Sequence, residues 1–230
     1  MLEATDSRPA ISIIIVSYNV RDLLESCLHS LRRRFPAARL IARDENLGFA
    51  RANNLALREA RGELLLLLNP DTLVQEDTFA TMKRFFEENE DVGMASCKVI
   101  KPDGTLEAGC RRSFPSPWVS FTKLTGLSTL FPRSPLFAKY NLTYLSEDES
   151  YEVDAISGSF MMLRREVYDT IGGLDETYFM YGEDLDWCYR TQKAGWKLYY
   201  VHNTKIVHYG GESTKRSSID ARAEFHRAMQ

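Results

Sequence analysis

The sequence predicts an α/β fold, a mostly parallel sheet with helices on its faces, and three observations carry that prediction. Two short apolar runs, within Ile11–Asn19 and over Leu64–Leu68, have the composition of strands buried on both faces. Segments with apolar residues at helical spacing alternate with such runs, which argues for parallel strands joined by right-handed crossovers. The leucine run stops at Asn69-Pro70-Asp71, and ligands of open α/β sheets bind beyond the carboxyl ends of strands.

The elements follow in order. Ile11–Asn19 is β-branched and reads as a central strand. Leu23, Leu24, Cys27, Leu28 and Leu31 share one helical face. Arg32-Arg33-Arg34 suits that helix's C-terminus, and Pro36 closes it. Arg39–Arg43 is a short strand candidate. Asn46-Leu47-Gly48 is a turn into a helix from Phe49 to Ala60, with Gly62 beyond it. After the Leu64–Leu68 strand, Asp77–Glu90 is an amphipathic helix with Phe79, Met82, Phe85 and Phe86 inward. Gly93–Ile100 is a strand, and Pro102-Asp103-Gly104 a turn.

From Cys110 to Ser150 the pattern dissolves. Pro115, Pro117, Pro132 and Pro135 punctuate it, and its aromatic residues have no clear period. The stretch reads either as a binding loop or lid, or as a loosely packed flap. Order returns with a strand over Val153–Leu163 interrupted at Gly158, and a short helix over Arg165–Ile171 ended by Gly172-Gly173. A helix over Glu183–Ala194 has Gly195 at its C′ position, and Lys197–Val201 and Lys205–His208 are strands. The tail after Ser213 is polar and is expected to fray. The expectation is a single domain over residues 1–230, with 213–230 as its tail.

Composition narrows the function. Hydrophobic residues are 44% and charged residues 27%, as in soluble globular chains. A net charge of −3 provides no global attraction to nucleic acid or to an anionic membrane. The longest apolar run is far too short to span a bilayer, and Glu3, Asp6 and Arg8 precede the first one, so no signal peptide is read. Cys27, Cys97, Cys110 and Cys188 match no zinc spacing. Cys27 and Cys188 sit at apolar helix positions, a usage that fits a reducing cytosol. The expected location is cytoplasmic, with peripheral attachment to the membrane's inner face at most.

Four features could carry chemistry. Asp71, directly after a buried strand, either caps the next helix or holds a divalent cation on a diphosphate. Glu183, Asp184 and Asp186 lie in the first turn of a helix, where carboxylates complement the macrodipole. The apolar wall of Tyr178–Tyr181 before them would raise a carboxyl's pKa and suit it to general-base work. His208 ends a strand before Gly210-Gly211; it is either structural or a ligand, and imidazole suits manganese better than magnesium. Asn46–Asn54 is a glycine turn opening a helix, and helix N-termini favour phosphate.

The stretches ISIIIVSYN (Ile11–Asn19), ENLGFARANN (Glu45–Asn54), GELLLLLNPDT (Gly62–Thr72), SGSFMMLRREVYDTIGGLDE (Ser157–Glu176), FMYGEDLDWCYR (Phe179–Arg190) and VHYGGEST (Val207–Thr214) occur in that order. The ordered set resembles family 2 glycosyltransferases of the GT-A type, a Rossmann-like sheet flanked by helices, in the bacterial rhamnosyltransferase-like branch. The resemblance implies metal-dependent, inverting transfer from a nucleotide-diphospho-sugar to a glycan or lipid-linked acceptor. It implies Mg2+ or Mn2+ held by Asp71 and His208, with Asn69 in place of the first Asp of the family's DxD-like motif. Asp184 takes the place of the catalytic base. Tyr18, Asn19, Asp44, Asn46, Gly48, Asn53 and Asn69 fall where the donor binds, and Gly158 and Glu183 on the acceptor side. Residues 1–105 would then form the nucleotide-sugar half and 106–212 the acceptor half. Donor sugar, base, acceptor and oligomeric state are left open.

One departure stands out. The family has a second strand after the first helix, ending in an Asp-Asn loop at the nucleotide base. Here Leu31 runs almost directly into Arg32-Arg33-Arg34-Phe35-Pro36, so a strand-and-loop unit is missing. The expectation is that Leu40–Arg43 moves beside the first strand and that Asp44 partly replaces the lost Asp. The competing reading is a truncated, catalytically silent relative acting as a binding or scaffold module.

Overall fold

A computed structural model describes residues 9–31 and 39–211. In chain order, β1 (Ile11–Ile14) leads to α1 (Arg21–Leu31), α2 (Gly48–Leu57), β2 (Leu64–Leu68), β3 (Thr72–Val74), α3 (Thr78–Glu88) and β4 (Val92–Ile100). The middle holds α4 (Pro117–Leu124) and α5 (Leu127–Leu130). Then come β5 (Tyr151–Glu152), β6 (Phe160–Arg164), α6 (Arg165–Ile171), α7 (Glu183–Lys193) and β7 (Lys197–His208).

The strands form one sheet in the order β1-β2-β6-β4-β7-β3, with β5 also on β7. The α/β architecture is the expected one, but the sheet is mixed. β1–β2 and β4–β7 are parallel, whereas β6 runs antiparallel between β2 and β4, and β3 and β5 run antiparallel to β7. β6 follows the long middle segment, so the simple strand–helix–strand unit that makes neighbouring strands parallel does not apply to it. All five leucines of β2 are buried, since β1 and β6 flank it and both faces are covered. α3 buries Phe79, Met82 and Phe86 fully and Phe85 partly. All four cysteines are buried free thiols.

Several boundaries differ from expectation. β1 stops at Ile14, and Asn19 takes a left-handed φ of 56° beyond it. The two expected C-terminal strands are one, β7, whose register with β4 shifts between Cys97 and Lys98. Of the strand expected over Val153–Leu163 only Phe160–Leu163 forms, within β6, and β5 lies before it. β3 was not expected; three residues are too few to show a period. The middle is better ordered than its composition suggests. Ser116 Oγ accepts from the Val119 amide at 3.3 Å and Pro117 opens α4, a capped helix start.

Leu40–Arg43 does not lie beside β1. Among the described residues β1 pairs with β2 alone, and no strand stands between α1 and α2. The physical reason is that the segment finds nothing to bury its apolar side chains against: Leu40 is 86% exposed, Ala42 and Arg43 are exposed, and only Ile41 is partly buried. The expectations for Arg32–Arg34, Pro36 and the tail after Ser213 lie outside the described residues.

Leu66→Ala is expected to cost about 2–5 kcal/mol in urea denaturation because it empties a fully buried site, whereas Leu40→Ala should fall within about 0.5 kcal/mol of wild type. A large loss at Leu40 would mean that residues 39–43 are packed as a strand after all.

Candidate active site

Strand register assembles one end of the site. β2 ends at Leu68, Asn69-Pro70-Asp71 turns the chain, and β3 pairs with the end of β7, setting Thr72 opposite His208. The Tyr209 amide donates to the Asp71 carbonyl at 2.9 Å and ties the turn to β7. β3 intervenes before α3, where Asp77 is the N-cap residue, so Asp71 does not cap that helix. Its carboxylate instead faces His208, with Oδ1 3.1 Å from Nε2, and the Asn69 amide lies 3.2 Å from the same nitrogen. His208 Nδ1 is 2.6 Å from Glu107 Oε2, on the chain returning after β4, where the Glu107 amide donates to the Val99 carbonyl.

Asp71 and His208 are both buried. Burial works against a charged imidazole, but the hydrogen bonds and charges of Asp71 and Glu107 outweigh it and push His208 up to about 9. At neutral pH the ring is an imidazolium held between two carboxylates, and a divalent cation on Asp71 and Nε2 would take the place of that proton. Among the described residues no cluster of three His, Cys, Asp or Glu surrounds one point. The side chains brought together are one carboxylate, one imidazole and the Asn69 amide, whose Nδ2 is the atom facing Nε2. That incomplete set fits Mg2+ or Mn2+, which keep waters and draw further ligands from substrate phosphates. Glu107 would orient the imidazole from behind.

The first turn of α7 forms the other end. Tyr181 (φ 69°) and Gly182 (φ 89°) are both left-handed and swing the chain sharply into the helix. Its three carboxylates then meet three different environments. Asp186 accepts from Arg190 Nε at 2.8 Å, and Arg190 also donates to the carbonyls of Ile171 and Gly173, a clamp that fixes the helix. Asp184 Oδ2 accepts from Arg112 Nη2 at 2.5 Å, and its Oδ1 accepts from the Leu185 amide at 2.8 Å. Glu183 is buried, and its Oε2 has no hydrogen-bond partner among the described residues. Burial, then the neighbouring Asp184 charge, pushes Glu183 up to about 8. At neutral pH Glu183 keeps its proton and is a hydrogen-bond donor.

Both ends open onto one cleft of about 1150 Å³, which Asn69, Asp71, Glu107, Glu183, Asp184 and His208 all line. Tyr18, Asn19, Asp44, Asn46, Gly48 and Gly158 line it as well. Asp44 reaches it from an irregular loop, since the strand expected to carry it does not form. Asn53 does not line it: the side chain is buried and donates to the Phe49 carbonyl of its own helix at 2.9 Å. Gly48 has a structural task in addition. Its φ is 76°, and a Cβ there would sit 2.5 Å from the Phe179 carbonyl oxygen. Asn46 Oδ1 accepts from the Gly48 amide and the Phe179 carbonyl from the Phe49 amide, so this helix start staples the loop that precedes α7.

Sequence reasoning missed Arg112 and Glu107. The doublet Arg111-Arg112 opens a stretch without carboxylates, a weak signal for Arg112, and nothing pointed to Glu107.

The family described as "Glycosyltransferase like family 2" matches residues 1–227, nearly the whole sequence. The chain belongs to glycosyltransferase family 2. It is 28% identical over 208 residues to N-acetylglucosaminyl-diphospho-decaprenol L-rhamnosyltransferase of Mycobacterium tuberculosis, an alignment covering 85% of this chain and 66% of that enzyme. It is 26% identical over 228 residues to the rhamnosyltransferase WbbL of Escherichia coli, covering 86% and 82%. The fold is that of GalNAc-T7 solved with UDP, GalNAc and Mn2+ (TM-score 0.60, 15% identity, 89% of this chain and 44% of that one). It is also that of the mannosyltransferase PcManGT of Pyrobaculum calidifontis solved with GDP-Man and Mn2+ (TM-score 0.58, 19% identity, 89% and 58%). The GT-A architecture is thus established for this family 2 member, which spans about two thirds or less of several of these proteins.

A carboxyl whose folded pKa, about 8, stands above its ordinary 4.5 binds its proton more tightly when folded. Its contribution to stability is complete below 4.5 and is lost as the pH rises through about 8. Glu183→Gln, neutral throughout, should match wild type near about pH 4 and exceed it by roughly 1–3 kcal/mol near about pH 9 in denaturant titrations. Parallel curves for the two proteins would show that Glu183 is not held protonated.

Proposed function

We propose that this chain is an inverting glycosyltransferase. It moves rhamnose or a similar sugar from a nucleotide-diphospho-sugar to a hydroxyl of a glycan or lipid-linked acceptor in bacterial surface polysaccharide synthesis, on the cytoplasmic side. The observation that carries the reading is the convergence of Asp71 and His208 with Glu183 and Asp184 on one cleft beyond the end of β2. Two relatives are rhamnosyltransferases by name, one acting on a diphospho-decaprenol carrier, which supports the sugar and acceptor classes.

The reaction is a single displacement. The acceptor oxygen bonds to the anomeric carbon as the bond from that carbon to the diphosphate breaks, with inversion and an oxocarbenium-like transition state. Asp184 takes the hydroxyl proton, and Arg112, tied to the Ile156 carbonyl at 2.9 Å, holds Asp184 in place while it does so. Protonated Glu183 donates a hydrogen bond to the sugar or acceptor oxygen that fills the space beside its orphaned Oε2. Asp71, His208 and Asn69 would hold Mg2+ or Mn2+, which when bound offsets charge on the leaving diphosphate. The half-exposed ring of Tyr18, with Asn19, Asp44, Asn46 and Gly48, lines the donor end.

Asp184→Asn should abolish transfer, by about a hundredfold or more, while donor binding measured by calorimetry stays within about twofold. Near-wild-type turnover would remove Asp184 from the base role. In thermal-shift panels of UDP-, dTDP- and GDP-sugars with and without manganese, one nucleotude series should raise the melting temperature in a metal-dependent way, and Asp71→Ala should erase that dependence. No shift with any donor, from a folded sample, would favour the silent-relative reading, in which the lost strand and loop took the donor site with them.

A further inference from the structure

Six of the eleven large exposed hydrophobic residues among those described fall between Trp118 and Leu136. Trp118, Phe121 and Leu124 recur every three residues along α4 and are exposed, while Val119 and Thr122 are buried. Leu130, Phe131 and Leu136 extend the patch through α5 and the loop after it, at 69%, 46% and 58% exposure. Scattered surface leucines are ordinary, but a contiguous cluster marks a docking surface. The cluster is also braced from within. Trp118 and Phe121 stack at 5.7 Å, Phe131 and Phe137 lie 5.3 Å apart, and Trp118 Nε1 donates to the Leu136 carbonyl at 2.9 Å. With its donor used internally, the indole presents ring and edge.

Charge identifies the partner. The chain carries 32 Asp and Glu, yet residues 108–146 contain none, and five Arg or Lys. Arg111 and Arg112 are turned inward, on Tyr151 and Asp184 respectively, while Lys123, Arg133 and Lys139 are exposed around the apolar patch. A protein interface depletes lysine, whereas an interfacial membrane surface combines Trp, Phe and Leu with Lys and Arg and repels no phosphate. The patch is also continuous with the site. Ser116, the cap of α4, lies four residues after Arg112, a span of at most about 14 Å.

We propose that the α4–α5 excursion is a membrane-docking surface: it lays its apolar side chains into an anionic bilayer surface, with Lys123, Arg133 and Lys139 at the headgroups. The lipid contact itself stands apart from the transfer reaction. Its use, presenting a lipid-linked hydroxyl to Asp184, rests on the proposed function.

The test is co-sedimentation of the full chain with vesicles of phosphatidylcholine alone and of phosphatidylcholine with phosphatidylglycerol. Wild type should pellet with the anionic vesicles and much less with the neutral ones. L124S/L130S/L136S should weaken partitioning by about tenfold or more, since it removes three aliphatic side chains from the interface. K123Q/R133Q/K139Q should lower the anionic-over-neutral preference by on the order of tenfold to a hundredfold. These side chains are exposed, so circular dichroism and the donor-induced thermal shift should be unchanged in both variants. That separates failure of docking from failure of the donor site. Absence of pelleting, or pelleting unaffected by the leucine substitutions, would overturn the proposal. So would wild-type self-association in light scattering that the leucine variant abolishes, since the patch would then be an interface between copies of the chain.

Discussion

The antiparallel pairing of Thr72 with His208 is the contact on which the site depends. Side chains alternate across a strand with period two, so a one-residue slip would send His208 to the opposite face of the sheet and away from Asp71. Two features forbid the slip. β7 is held along its other side by the buried strand β4, and the Tyr209 amide is bonded to the Asp71 carbonyl just beyond the pair. Rigidity at the centre of the sheet thus becomes positional accuracy at its end. Glu107 extends the same logic, because its place behind the imidazole follows from backbone pairing with Val99.

The α7 end shows the opposite economy, local cost held in place by strong anchors. Tyr181 is a bulky residue in the left-handed region, and such backbone is strained by roughly 1–3 kcal/mol. The orphaned Glu183 oxygen adds roughly 1–3 kcal/mol of unsatisfied desolvation. Against these stand the fully buried Trp187, donating to the Gly172 carbonyl at 2.9 Å, and the Arg190 clamp on Ile171 and Gly173. Costs of this kind gather where chemistry needs an unusual proton affinity. Two adjacent carboxyl groups are driven apart in character here: one is buried with an orphaned Oε2, the other is ion-paired to a guanidinium.

Much of this was legible in the sequence because periodicity and composition report burial directly. β2, α3 and α7 announce themselves by unbroken leucines, by 3.6-residue spacing and by an acidic first turn. What was illegible depended on partners distant in the chain. β3 is too short for a period and exists only because β7 offers an edge. Leu40–Arg43 has strand-like composition but nothing to bury it against. Arg112 and Glu107 acquire meaning only when folding brings Asp184 and His208 beside them. The ENLGFARANN stretch misled in part, since several of its residues do architectural work. Asn53 bonds its own helix, and Asn54 ties Leu174 with both ends of its amide.

The neck of the middle excursion joins these threads. The chain leaves the body at Arg112 and returns at Ala155, and the two residues exchange backbone hydrogen bonds of 2.9 and 3.0 Å. The Ser113 amide donates to Tyr140, and the Phe114 amide to the Asp154 carboxylate, closing the base of the excursion. Arg112 therefore serves two neighbours at once: its backbone belongs to the neck and its guanidinium to Asp184. A contact that binds the excursion differently in two arrangements of the neck would shift Asp184 by no more than that difference in binding free energy allows. A contact indifferent to the neck would leave the base where Ile156 and Arg112 hold it. The backbone that closes the base of the excursion and the guanidinium that holds Asp184 belong to one residue, so a contact on α4 and α5 reaches the acceptor side of the cleft only to the extent that it favours one arrangement of the neck over another.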